Sequence, residues 1–224
     1  MFRIVRIAVI ASVAASAAGA AQSGGTALLA SAVAATQAAK ADYAFDFDLE
    51  TSKQTWRARY DPRTTPRLRI VQPRRDELKG DERRAFDRIA EQMEGVSWCA
   101  SEHIGRVESL ALVREDDTSA VYSFQPNAES VRGEQARRFA DRLSGEMTLL
   151  KATPDITRIR LYTPQPFSPM PLARVDELNV VITCQTAPNG RRYAAETVTT
   201  ARGTALGQVF NERSVQRARN LAAP

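Results

Sequence analysis

Strict two-residue alternation is the feature that most limits how this chain can fold. From residue 43 to 50, Tyr43, Phe45, Phe47 and Leu49 fall on one side and Ala44, Asp46, Asp48 and Glu50 on the other. Residues 55–60 repeat the pattern, with Trp56, Ala58 and Tyr60 against Arg57 and Arg59. A period of two belongs to a half-buried strand, not to a helix. The polar run Thr51-Ser52-Lys53-Gln54 between them predicts a hairpin closed at Glu50 and Thr55. In that register Asp48 meets Arg57 and Asp46 meets Arg59 on one face. On the other, Leu49 meets Trp56, Phe47 meets Ala58 and Phe45 meets Tyr60. A one-residue slip would set charges against the aromatic face, so both faces specify the same pairing.

Alternating or short apolar runs recur over residues 67–71, 96–99, 104–114, 120–125, 146–151, 156–162, 178–184, 193–200 and 204–210. Helical periodicity replaces them twice. Phe86, Ile89, Ala90 and Met93 fall at i, i+3, i+4 and i+7, predicting a helix over 81–94 with Gly95 past its end. Ala136, Phe139, Ala140 and Leu143 make a second stripe, predicting a helix over 134–144 that stops at Gly145. Pro164, Pro166, Pro169 and Pro171 interrupt regular structure and are expected to carry Phe167 and Met170 on an open loop. No strand–helix–strand spacing recurs, which favours antiparallel pairing. The expected class is α+β, with a curved, half-barrel-like antiparallel sheet of about nine to eleven strands covered by two or three helices. Curvature follows because twist accumulates across so many strands.

Residues 1–41 stand apart: they hold Arg3, Arg6 and Lys40 but no acid. Residues 1–6 carry the charge of a signal n-region, 7–18 the apolar h-region, and Ala18-Gly19-Ala20 the small side chains of a cleavage site. Ala39-Lys40-Ala41 offers a second such site. The expectation is a signal peptide and spacer over 1–41, cut after Ala20 or Ala41, and a single extracytoplasmic domain over 42–224. With 27 Arg against 4 Lys, a GC-rich bacterial genome and a periplasmic address are expected. Beyond the signal no run of about eighteen apolar residues occurs, so the mature chain is not expected to span a membrane. Three of the 31 cationic side chains and none of the 26 acids lie in residues 1–41, so the net charge of +5 falls to +2 on cleavage. That excludes the concentrated cationic face of a nucleic-acid reader.

Cys99 and Cys184 form an even pair, which in an oxidising compartment reads as a disulfide. Two alternatives pass through His103: a zinc site of Cys99, His103 and Cys184, or a Cys99 thiol with His103 as its base. His103 is the single histidine, so every His-dependent triad must use it. G-x-S-x-G, S-x-x-K, H-E-x-x-H and phosphate-cradling glycine runs are absent from the sequence, and neither a cofactor nor catalysis is expected. Carboxylate pairs of the glycosidase kind stay open in principle. However, Asp46 and Asp48 have arginine partners in the hairpin, and Asp116 and Asp117 sit in a turn.

The order of elements resembles that of the periplasmic lipoprotein carriers of the Lol type. The shared order is paired N-terminal strands over 43–60, helices over 81–94 and 134–144, and a run of strands over 146–210. In that family a curved sheet covered by helices cradles acyl chains. An opening amphipathic helix is also implied, a part that residues 26–39 would take here. The resemblance implies a non-catalytic carrier or binding protein for an apolar or amphiphilic ligand. Phe45, Phe47, Trp56 and Tyr60 are then candidate cavity walls, or else plain core beneath a helix. Phe167 and Met170 mark a lid or a partner site. Arg158 and Arg160, two residues apart on one strand face, are candidate anion contacts, since a guanidinium grips phosphate with two parallel bonds. The alternative is an envelope scaffold that contacts a protein partner without a ligand, and the third reading an uncharacterised hydrolase. A large apolar cavity would mark the carrier, and a filled core with an exposed apolar patch the scaffold.

Overall fold

The computed structural model describes residues 16–107, 109–131 and 134–224. Helix α1 (Ser16–Ala38) leads into strands β1 (Ala44–Thr51), β2 (Thr55–Tyr60) and β3 (Leu68–Gln72), followed by helix α2 (Gly80–Gln92). A meander of β4 (Leu110–Glu115), β5 (Ser119–Phe124), β6 (Ser144–Leu150) and β7 (Ile156–Tyr162) comes next. Short β8 (Phe167–Met170) then precedes three long strands, β9 (Ala173–Thr186), β10 (Arg192–Ala205) and β11 (Gln208–Ala222). These strands build one open antiparallel sheet in the order β3-β2-β1-β11-β10-β9-β7-β6-β5-β4, with β8 beside β9. The class is α+β with a curved sheet, as the sequence predicts. Among the described residues no helix is long and apolar enough to cross a membrane.

β1 and β2 pair in the register that their two faces demand, with Asp48 opposite Arg57 and Leu49 opposite Trp56. Ion pairing on the outer face departs from that register. Asp46 binds Arg59 at 2.9 Å, but Asp48 takes Arg219 of β11, the neighbour on the other side of β1.

On the inner face one row crosses the sheet from Leu49 through Gln216, Thr197, Ile182, Ile159, Met147 and Tyr122 to Leu112. Its ends are apolar and its middle is polar. α2 covers one end, where buried Phe86 meets Trp56 edge-on at 5.7 Å among Phe45, Phe47, Tyr60 and Leu68. α1 covers the other, where Leu29 and Ala32 pack with Tyr122, Met147, Leu149 and Ile159. The approach of α1 is close: a Cβ on Gly25 would lie 2.4 Å from the Tyr122 ring. Small side chains, not a broad apolar stripe, therefore let this helix bury its backbone against the sheet.

A buried ion pair fixes α1 in place. The Arg191 guanidinium lies 3.1 Å from the Asp155 carboxylate and also donates to the Ala32, Pro154 and Thr36 oxygens. Asp155 in turn accepts from the Ile156 and Arg192 backbone N–H groups, and Asn189 donates to the Ala39 carbonyl at the helix C-terminus. Cys99 and Cys184 are joined by a disulfide, tying the segment before β4 to β9. With both sulfurs in that bond, the zinc and thiol-nucleophile alternatives lapse.

Several expected elements differ. The helix over 134–144 reduces to one turn at Glu134–Arg137 and a tighter turn at Ala140–Arg142. Gly145, expected as its stop, lies inside β6, where a Cβ would meet the Phe124 ring at 2.2 Å. The run over 96–99 forms a single bridge, Trp98 to Tyr193, and Ile104–Arg106 is a turn that leaves only Leu110–Glu115 as strand. The proline-rich loop is not open: Phe167–Met170 pairs with β9, with Pro169 tolerated because β8 uses only one of its edges. Finally, β10 and β11 are joined by Leu206-Gly207, and β11 continues to Ala222, far past the expected end at residue 210.

Candidate functional site

Of the two readings of the four aromatics, cavity wall or plain core beneath a helix, the second holds: they lie in the core beneath α2. Phe45, Phe47, Trp56 and Tyr60 are 2, 7, 1 and 2% exposed, and Phe45 stacks on Tyr60 at 4.9 Å. Between the two helix-covered ends, the inner face presents Thr197, Thr199, Ser214 and Gln216, hydroxyl and amide side chains that are half-buried or exposed.

On the outer face, Arg158 and Arg160 share one side of β7, as the alternation predicts. Arg160 is already engaged: its Nε donates to the Asn179 Oδ1 at 2.9 Å and its guanidinium lies 4.6 Å from the Tyr162 ring centre. Arg158 is exposed, between Thr148 and Thr183. His103 Nδ1 lies 3.1 Å from the Glu129 carbonyl, to which it donates. Among the described residues no three His, Cys, Asp or Glu side chains converge as a metal cluster. Asp116 caps its own turn, accepting from Thr118 and Ser119, and those bonds hold its carboxyl down at about 2.

The feature that sequence reasoning missed is an arm. β9, β10 and β11 are 14, 14 and 15 residues long, but β7 reaches only Asn179 of β9 and β1 only Ser214 of β11. The distal parts, residues 173–178, 201–205 and 208–213, therefore extend past the sheet with β8 as their single companion strand. In those parts only Gly203 is buried; it is held between the Arg174 carbonyl and the Phe210 ring, where a Cβ would not fit.

Met170, Leu172, Leu206 and Val209 lie at or beside the two turns of the arm's end, 60, 76, 79 and 82% exposed, with the register placing Met170 and Val209 on opposite faces. Leu172 and Leu206 occupy left-handed backbone positions with φ of 64° and 51°, where glycine or asparagine is the favoured residue. A shallow cleft of about 310 Å³ opens beside Leu172, lined also by Ser168, Ala173, Arg174, Thr204 and Gly207. The signal was present in the sequence as Pro171-Leu172 and Leu206-Gly207, two turn dipeptides with leucine at an unusual position.

Compared with protein-family models, curated proteins and solved structures, the chain gives no significant match.

Proposed function

We propose that this protein is a non-catalytic envelope module that acts through its exterior, with the arm as its contact surface. The observation that carries this reading is the distribution of apolar surface. The inner apolar face is filled by α1 and α2, while, of the six large apolar side chains exposed among the described residues, four lie beside the two turns at the arm's end. An exposed apolar cluster on an otherwise charged surface marks an interaction site. The periplasmic address follows from reading the charge-poor residues 1–41 as an export segment.

Amide hydrogen exchange of the protein mixed with an envelope extract of its host tests this. Slowed exchange over residues 167–178 and 199–213 supports it; unchanged exchange there contradicts it.

The carrier reading comes second, and one observation favours it. The gap between the two helix-covered ends exposes Thr197, Thr199, Ser214 and Gln216, a strip on which an amphiphile's polar part would lie. The element order read from the sequence also resembles that of the Lol-type carriers, except that residues 134–144 form two turns in place of the second helix. Protection confined to that strip in the same exchange experiment would support the carrier.

A further inference from the structure

We propose that the joined hairpin tips of the arm dip into a lipid bilayer surface, with Leu172, Leu206, Val209 and Met170 as the inserted side chains. This rests on the reading of the arm as the contact surface and names its partner. Leucine at a left-handed position is unfavourable against glycine or asparagine, and its side chain here is solvated as well. Two adjacent turns carry the same combination, so the isolated protein holds strained, exposed leucines side by side with nothing gained inside the fold.

Three observations favour a bilayer over a protein partner. First, size: a stable protein interface takes about 20–30 residues a side. The tip offers four large apolar side chains on two narrow turns, and a lipid surface needs no matching shape. Second, the tip backbone is closed on itself. Leu206 N–H donates to the Leu172 carbonyl at 2.8 Å, and Ala205 pairs with both Ala173 and Gln208. Turns entering an apolar medium must satisfy such groups internally. Third, the collar behind the tip is electrically balanced: three arginines, Arg174, Arg202 and Arg213, stand against Asp176, Glu177 and Glu212, with Arg174 paired to Asp176, Arg202 to Glu177 and Glu212 to Lys53 of the first hairpin turn. Arg174 and Arg202 stay 58 and 62% exposed, suited to rest at headgroup level. Attraction is then apolar, with little dependence on anionic lipid or on salt, unlike polybasic binding.

Flotation of the processed chain that begins after Ala20, free of the apolar export segment, with phosphatidylcholine vesicles, and with vesicles that also contain phosphatidylglycerol, reads this out. The wild type is expected to float with both at low and high salt. Leu172→Ser with Leu206→Ser should lower partitioning about tenfold or more. Val71→Ser with Val113→Ser, which removes the two large apolar side chains exposed away from the tip among the described residues, should not change it.

Leu206→Asn separates binding from structure. Asparagine before Gly207 suits the left-handed turn, so thermal stability should hold or rise while partitioning falls. A wild type that floats with neither vesicle, or only with the anionic one at low salt, would overturn the proposal, as would tip variants that float like the wild type. If envelope proteins, but not vesicles, slow exchange at the arm, the partner is a protein and only the bilayer is wrong. If nothing slows it, both readings fall.

Discussion

Arg191 and Asp155 meet almost out of reach of water, their side chains 10 and 4% exposed. Burial pushes the Asp155 carboxyl above the usual carboxylate range, opposed by the Ile156 N–H, the Arg191 guanidinium and the Arg192 N–H. A raised folded-state value means that protonation favours the fold. The group's contribution is therefore greatest below the ordinary carboxylate range and declines as pH rises through the folded value. Arg191→Ala leaves the carboxylate buried without its countercharge and should cost about 3–5 kcal/mol near neutral pH. That deficit relative to the wild type should narrow in acid, because a proton then neutralises Asp155 in place of arginine. Urea denaturation at a series of pH values measures both effects. Asp116 acts in the opposite sense: its carboxyl is held at about 2, so its contribution is present above the ordinary carboxylate range and is lost only as pH falls through about 2. A purely apolar test sits under α2, where Phe86 is 1% exposed against Trp56. Phe86→Ala should cost about 3–5 kcal/mol in the same denaturation experiment.

Among elements, α1 is the least legible from sequence and among the most consequential for the fold. Its alanines and glycines lack an amphipathic stripe, yet Leu29, Ala32 and Thr36 are 3, 0 and 1% exposed, and Arg191 holds two of its oxygens. Periodicity reports large side chains; it is silent where close approach depends on small ones. A chain that begins after Ala20 keeps this packed segment, and one that begins after Ala41 loses it. The shorter chain should lose protection from hydrogen exchange across β4–β7, and the longer one should not. The register of the first hairpin is legible because charge and apolarity specify it from both faces, but the ion partner of Asp48 is not, since Arg219 comes from β11 on the other side of β1. The helix over 134–144 was misread because Gly145 resembles a helix stop, although its role is to admit the Phe124 ring against β6. The last strand, expected over 204–210, straddles the real turn and stops short of Ala222, because that turn is Leu206-Gly207, without the asparagine or aspartate that usually signals one, and because the strand's polar face meets ion partners on β1 and β10 that only the folded sheet supplies. The disulfide joins positions 85 residues apart, so replacing Cys99 and Cys184 with serine should cost about 4 kcal/mol on the chain-entropy account. Denaturation of the double variant beside the oxidised wild type checks the figure.

At the scale of the whole molecule, one sheet carries a filled apolar cluster under each helix, a third around Trp98 and Tyr193, a polar strip over Thr197 and Gln216, and an arm that reaches past them. The aromatic residues that in the sequence suggested a ligand wall are packing for α2, and the apolar surface left over lies at the arm's end. This arrangement suits contact with something outside the molecule more than enclosure of something within it. Titration with fatty acids of increasing chain length, followed by tryptophan fluorescence, tests that claim most directly, because Trp56 and Trp98 are 1 and 8% exposed within packed clusters. No saturable change is expected at any chain length; an affinity that climbs with chain length by about 0.8 kcal/mol per CH₂ would show an enclosed apolar site instead.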